Sequence, residues 1–497
     1  MAESEIKQIT EIGFVQGMKA YVVYVEGIPL ARIDDILVSE KGARAMVLSL
    51  DHERLTALRL DSVDLRPGDR FQLSDKKFIF PATSRMFGRV LNPLGLPLDG
   101  KGGVAGAKTD IALDVSGLGI AARESIHEQF STGITVLDML LPIGKGQREL
   151  MIGPLQSGKT TFMRDVIVNQ QRQGRICVYT AIGKSASAVQ KFADAIFSAG
   201  AAEYTVIIAA NASETVPIIS LAPKVALGIA DYFRAQGNDV LVVLDDLGTH
   251  AKYLREVGLM SGTIPGRGSY PGDIFYQHAH LMERAGNFNA ASGGGSITLL
   301  PVMETDIENF TELIPTNLMA STDGHLFFSQ VMRAKGFYPP VEIERSITRV
   351  GRQTQTEIQK SLGERIRRLL AKYRELQDYA RFGSEVSGET QEILRQGSVV
   401  TELLRQDAHE YIDIASQAAL LGLGFTTFLK REQADFVRRN RKKMIAAFKS
   451  KPFQDVLEMV VKNRAAEDFY TLLETKTPYL DKLFKQAGEE MQVKSSK

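Results

Sequence analysis

Three patterns follow one another along the chain and predict a multidomain protein: an N-terminal β-barrel, a central α/β domain and a C-terminal all-α helical bundle. Short apolar runs broken by glycine and proline come first. Strand-like runs alternating with helix-length segments follow, and helical periodicity takes over at the end. The boundaries fall at 1–79, 80–355 and 356–497, and a chain of 497 residues is too long for a single core.

In the first segment, Tyr21-Val22-Val23-Tyr24-Val25 and Ala45-Met46-Val47-Leu48-Ser49-Leu50 are punctuated by Gly27, Pro29, Gly42, Pro67 and Gly68, as in a small barrel. The turn-rich stretch from Phe87 to Gly100 marks a hand-over between domains. The central segment contains Ile176-Cys177-Val178-Tyr179, Tyr204-Thr205-Val206-Ile207-Ile208-Ala209-Ala210, Val240-Leu241-Val242-Val243-Leu244 and Ser296-Ile297-Thr298-Leu299-Leu300. Unbroken apolar strands of this kind belong to a mostly parallel sheet covered on both faces. In the last segment, the run from Ile366 to Leu376 places apolar residues at three- and four-residue spacing.

Lys and Arg number 60 against 59 Asp and Glu, so no global field attracts nucleic acid or an acidic membrane surface. The basic run Arg438-Arg439-Asn440-Arg441-Lys442-Lys443 lies beside Glu432 and Asp435 without interleaved aromatics, and reads as a solvated helix face rather than a nucleic-acid contact. Cys177 is the one cysteine, so no intrachain disulfide is expected, and its strand-like surroundings predict a buried, inert thiol. An intracellular setting fits. The opening Met1-Ala2-Glu3-Ser4-Glu5 lacks a leader pattern, no run of about 18 apolar residues occurs, and the tail at 494–497 is polar. Membrane work is expected only through a partner.

The chemistry concentrates in Gly153-Pro154-Leu155-Gln156-Ser157-Gly158-Lys159-Thr160, between the apolar Leu150-Met151-Ile152 and a helix-like run at 161–170. Its spacing and its strand–loop–helix setting predict a phosphate loop. The glycines let the backbone turn its N–H groups toward phosphate oxygens, and the helix N-terminus adds partial positive charge. Lys159 is expected to reach the terminal phosphates, and the Thr160 hydroxyl to face Mg²⁺. Asp245, ending an apolar strand, is expected to hold Mg²⁺ through water. The predicted ligands are therefore ATP or ADP with Mg²⁺.

A barrel, a phosphate-loop domain and a helical bundle in this order resemble the alpha and beta chains of the F1 part of rotary ATP synthases. Gly133-Ile134-Thr135, the stretch Pro142-Ile143-Gly144-Lys145-Gly146-Gln147-Arg148-Glu149-Leu150, Asp245-Asp246-Leu247 and Pro265-Gly266-Arg267 carry the likeness. So do Tyr270-Pro271-Gly272-Asp273, Ile314-Pro315-Thr316-Asn317 and Thr322-Asp323-Gly324, while Ser346-Ile347-Thr348-Arg349-Val350-Gly351 and Tyr373-Arg374-Glu375-Leu376 point to the alpha type. The resemblance implies a RecA-type NTPase domain and an alternating ring of three alpha and three beta chains. It also implies a central-stalk gamma subunit, a peripheral stalk, and membrane contact only through the ion-translocating sector, on the cytoplasmic side of the inner membrane.

Within that family a catalytic chain places glutamate after a strand to polarise water, in Gly-Glu-Arg, and alpha chains usually have Gly-Gln. Here the residues are Gly183-Lys184-Ser185. A protonated lysine cannot take a proton from water, so hydrolysis at this chain's own loop is disfavoured. Arg349 stands where the family supplies an arginine finger to a neighbouring beta site; the competing reading is a salt bridge to Glu342 or Glu344. Ser346 matches a serine tied to activity in the family, or is a capping hydroxyl. Gln156 and Gln406 match alpha-type glutamines near the nucleotide, although a second glutamine is replaced by Ala408. Tyr338-Pro339 replaces the usual Arg-Pro, with Tyr338 either a π-face for adenine or junction packing. The segment before the barrel is shorter than is typical, which bears on stalk attachment. The function implied is a regulatory, largely non-catalytic nucleotide-binding subunit that couples ATP synthesis or hydrolysis at beta subunits to transport of H⁺ or Na⁺. The alternatives are a self-sufficient homohexameric motor of the export-ATPase or rho-helicase type, and a scaffold that binds nucleotide only to hold a ring together.

Overall fold

A computed structural model describes residues 11–52, 54–74, 78–113, 115–306, 310–381 and 387–484, with backbone alone for 378–381. The residues Met1-Ala2-Glu3-Ser4-Glu5 and the tail at 494–497 lie outside this set. The chain divides into two compact units, one formed by Met1–Ser125, Lys145–Leu155 and Gln170–His325, the other by Ile126–Gly144, Gln156–Asn169 and Leu326–Lys497.

The first unit opens with a closed six-stranded barrel of β1 (Ile12–Lys19), β2 (Val22–Glu26), β3 (Ile36–Ser39), β4 (Arg44–Leu50), β5 (Leu55–Arg59) and β6 (Arg70–Leu73). Strand order is β1-β2-β5-β4-β3-β6, and β1 pairs antiparallel with both β2 and β6, which completes the cylinder. Val15, Val23, Val25, Leu37, Val47, Ala57 and Phe71 fill its interior. Outward-facing Tyr21, Val22 and Leu58 are buried too, because they pack on Val257 of the following domain, and Ile36, Met46 and Leu60 pack on Leu221. Covering both sides of β2 explains its unbroken apolar run.

The same unit holds six parallel strands of a 10-stranded sheet, in the order Val90–Leu91, Thr205–Asn211, Ile176–Lys184, Asp239–Asp245, Ser296–Glu304, Glu149–Gly153. The central strands are buried along nearly their whole length, as the continuous apolar runs require. Helices Ala186–Ser198, Val216–Arg234 and Leu247–Ser261 pack against them. Val216–Arg234 is long and apolar enough to cross a membrane by length and composition, but 72% of its apolar window is buried inside the protein, on four strands of the sheet. Cys177 is fully buried in its strand, where burial pushes the thiol pKa up.

The second unit is mainly helical. Ile358, Leu362 and Ile366 on helix Glu357–Arg381 present the expected apolar stripe, while helix Ile414–Leu423 is buried on all sides at its centre. The basic run lies on helix Ala434–Phe448, and three of its cations are matched by carboxylates: Arg438 with Glu402 (2.9 Å), Lys442 with Asp407 (2.7 Å), and the buried Arg441 with Glu410. Asp138, fully buried on helix Thr135–Leu140, accepts hydrogen bonds from the Thr132 and Gly133 amides (2.8 and 2.9 Å). It also accepts from the Thr132 hydroxyl (2.7 Å) and the Gln417 amide (2.9 Å), so one carboxylate fixes the Gly133-Ile134-Thr135 segment against helix Ile414–Leu423.

Candidate functional site

Because the six strands run parallel, their carboxyl ends share one edge of the sheet. In the first unit that edge carries Gly153, Glu304, Asp245, Lys184 and Asn211 in spatial order. Ligands of open parallel sheets bind beyond this edge, where side chains and helix N-termini converge.

From Gly153 the chain turns through the loop into helix Lys159–Asn169. Gly153, Gln156 and Gly158 all have positive φ (156°, 57° and 100°), the conformation in which a tightly turning loop favours glycine. In the second unit Gly158 has no room for a side chain, since a Cβ there lies 2.8 Å from Pro340 Cγ. Arg333 donates to the Gln156 carbonyl, fixing the loop from outside. Lys159 is buried and donates to the Ser157 hydroxyl (3.2 Å); Pro154 and Ser157 are buried, while Leu155 and Thr160 are exposed.

The two aspartates after the apolar strand have different tasks. Asp246 caps helix Leu247–Ser261, accepting from the Gly248 and Thr249 amides and the Thr249 hydroxyl (2.6, 3.3 and 2.7 Å). Asp245 stays on the sheet edge, where its Oδ2 accepts from the Tyr179 hydroxyl (2.8 Å) and its Oδ1 lies 3.0 Å from Lys184 Nζ. The contact follows from strand parity. Gly183, with φ +64°, is an extra residue between Ile182 and Lys184, which pair with the consecutive Ala210 and Asn211. That bulge moves Lys184 from the face of Ile182 to the face shared by Tyr179, Ala181 and Asp245.

Burial works against charge on Lys184, but Asp245, Asp246 and Glu304 outweigh it and hold the ammonium pKa above the ordinary lysine value. Burial lifts Asp245 despite Lys184 and Tyr179. The lysine's direction governs the pair, because both carboxylate oxygens face donors. A Gly183→Ala substitution is expected to cost about 1–3 kcal/mol: positive φ disfavours a Cβ, which also meets Tyr253 at 2.8 Å and Thr249 at 3.0 Å. Denaturant titration of the purified variant checks this, and an unchanged midpoint and slope rule it out.

The remaining sequence-predicted residues lie in the second unit. Gln406 is buried; its Oε1 accepts from the Thr135 amide (2.9 Å) and hydroxyl (3.1 Å), and its amide donates to the Gly133 and Glu410 carbonyls (2.9 and 2.7 Å). Tyr338 precedes Pro339 across a cis peptide bond and donates its hydroxyl to Asp165, whose other oxygen lies 2.5 Å from His409 Nδ1. Burial, then Asp165, raises the Tyr338 pKa, so the phenol stays protonated. Tyr338 and Pro339 also line a cavity of about 430 Å³ with Phe337, Tyr373, Arg374 and Arg405. The Ser346 hydroxyl accepts from the Phe327 amide (2.9 Å) and donates to the Glu342 carbonyl (2.6 Å). Arg349 is exposed just past the short strand Ile347–Thr348. Of the carboxylates named as its possible partners, Glu342 pairs with Arg345 and Glu344 with Arg374. Asp165 and His409 have no signal in the sequence: Asp165 meets Tyr338 across an interval of 173 residues and His409 across one of 244 residues.

Among the described residues, no three or more His, Cys, Asp or Glu side chains gather around a metal position.

A phosphate loop springing from one strand of a parallel sheet, with an aspartate closing a strand two places away, defines a nucleotide-binding protein of the phosphate-loop class. The comparisons narrow that class. Residues 133–348 match the nucleotide-binding domain model of the ATP synthase alpha/beta family, and 355–475 match the C-terminal domain model of its chains. ATP synthase subunit alpha of Anaplasma phagocytophilum is 36% identical over 423 residues, covering 83% of this chain and 84% of that one. The subunit alpha of Ehrlichia chaffeensis is 34% identical over 461 residues, covering 91% and 90%. The chain belongs to the ATP synthase alpha/beta family.

Proposed function

We propose that this chain is the regulatory, non-catalytic nucleotide-binding alpha subunit of a rotary ATP synthase. It couples ATP synthesis or hydrolysis at neighbouring beta subunits to transport of H⁺ or Na⁺ across a membrane. ATP or ADP binds at 153–160: the loop amides and Lys159 hold the phosphates, and Gln156, Tyr338, Pro339 and Gln406 shape the remainder of the site. Mg²⁺ bound with the nucleotide would supply charge that neutralises phosphate oxygens, and the Thr160 hydroxyl and, through water, Asp245 are the residues that would hold it. Arg349, supported by Ser346, reaches the catalytic site of a beta neighbour. The partners are beta chains in an alternating ring of six, a central-stalk gamma subunit and a peripheral stalk. The chain is peripheral, on the cytoplasmic side of the inner membrane, and touches it only through the ion-translocating sector.

One observation carries the non-catalytic reading. At the strand end where a catalytic chain needs a carboxylate to polarise water, this chain has Lys184 with its ammonium against Asp245. A cation there orients nothing for proton abstraction.

Nucleotide binding and ATP turnover by the purified chain test the proposal together. Binding without turnover is the expected result, with Lys159→Ala weakening binding at least about tenfold through loss of a charge-assisted phosphate contact. Sustained turnover abolished by Lys159→Ala overturns it in favour of a self-sufficient motor.

A further inference from the structure

We propose that Lys184 is a resident counter-cation for Asp245, and that it frees nucleotide binding by this chain from Mg²⁺. The inference rests on the nucleotide-binding reading of the phosphate loop and goes beyond it.

Asp245 is 4% exposed and both its oxygens are engaged, one by the Lys184 ammonium at 3.0 Å and the other by the Tyr179 hydroxyl at 2.8 Å. A carboxylate buried to this degree needs a positive partner, and in most phosphate-loop sites a metal ion helps to meet that need. Here the partner is covalently part of the chain. Its approach is built into the backbone: the Gly183 bulge gives Lys184 the parity of Tyr179 and Asp245, and Gly183 has no space for a side chain that would swing the strand end away.

The same geometry sets up a competition. For Asp245 to turn toward a hydrated Mg²⁺, it must release the ammonium, leaving a largely buried lysine without that partner beside the Asp246 and Glu304 carboxylates that also attract it. The metal therefore gains less at this aspartate than at one facing only neutral donors. Lys184 lies at the carboxyl end of its strand, on the sheet edge from which the phosphate loop departs, with its side chain 28% exposed. The positive charge that Mg²⁺ brings to bound phosphates is already present at that edge.

Equilibrium binding of ATP to the full-length purified chain tests this, read in excess Mg²⁺ and again in excess EDTA. The wild-type dissociation constant is expected to change less than about threefold between the two media. Lys184→Gln, which removes the charge but keeps a side chain able to hydrogen-bond, is expected to lose at least about tenfold of its affinity in EDTA, the scale of one partly shielded charge–charge contact. Lys184→Arg, which keeps the charge, is expected to behave as wild type and shows that the strand end tolerates substitution. A tenfold loss in EDTA by the wild-type chain overturns the inference and leaves the nucleotide site standing, as does a Lys184→Gln chain equally indifferent to EDTA. Absence of binding in both media overturns the nucleotide-binding reading itself, and the inference with it.

Discussion

Replacing Arg349 by Ala is expected to lower ATP turnover of a complex reconstituted with beta chains about a thousandfold, the lower end of the range for arginine fingers. A guanidinium suits the task because it stays charged and presents paired donors to phosphate oxygens in a fixed plane. Such a group helps only if it is already positioned when charge develops in the transition state. The chain beside Arg349 provides that positioning. The Thr348 hydroxyl donates to the Pro142 carbonyl (2.8 Å) and accepts from the Gly351 amide (3.2 Å), and Gly351 lies so close to Pro142 that a Cβ there would fall 1.6 Å from the carbonyl oxygen. Arg349 is thus an exposed side chain on a bolted segment. Lys at 349 should recover little of the rate, since a single ammonium does not reproduce the paired donors. Steady-state hydrolysis by complexes verified as assembled is the measurement, and turnover within tenfold of wild type would remove Arg349 from the catalytic role.

The second large effect concerns folding. Asp138→Ala is expected to destabilise the chain by about 3–5 kcal/mol, because it leaves the Thr132 and Gly133 amides and the Gln417 side chain without their buried acceptor. Each stranded donor loses its water without replacement, and Gln417 is fully buried. The loss should appear in denaturant titration of the purified chain. A change below about 1 kcal/mol would mean that water or a neighbouring acceptor takes the place of the carboxylate.

Much of the fold was legible because its signals are local. The barrel, the parallel strands and the helical end each announce themselves by apolar period, and the phosphate loop by spacing. Asp245 was also readable, since a carboxylate that ends a strand must lie at the sheet edge. Its partner was not. Lys184 stood out in the sequence only as a departure from the family, and a strict two-residue alternation points its side chain away from Asp245. One glycine reverses that parity, and a single bulge leaves no compositional mark. The Tyr338–Asp165–His409 cluster was invisible for another reason: it joins segments remote in sequence through single side chains, with no repeat or spacing to betray it. Gln406 shows the converse difficulty. Its identity pointed to the nucleotide, but the hydrogen bonds it makes to the Gly133-Ile134-Thr135 segment and to Glu410 carry no mark in the sequence.

The pairing of β1 with β6 bears on how this part of the chain meets its neighbours. An open sheet presents a row of unused amides and carbonyls at its margin, and a second molecule can extend it strand by strand. A cylinder whose first and last strands are joined has no such margin, so anything docking on the barrel meets a finished surface of side chains and turns. Recognition there depends on shape and charge at particular positions, such as the exposed Phe14, Leu30 and Ile33. Single substitutions can retune it, and a growing ladder of identical barrels has nowhere to start.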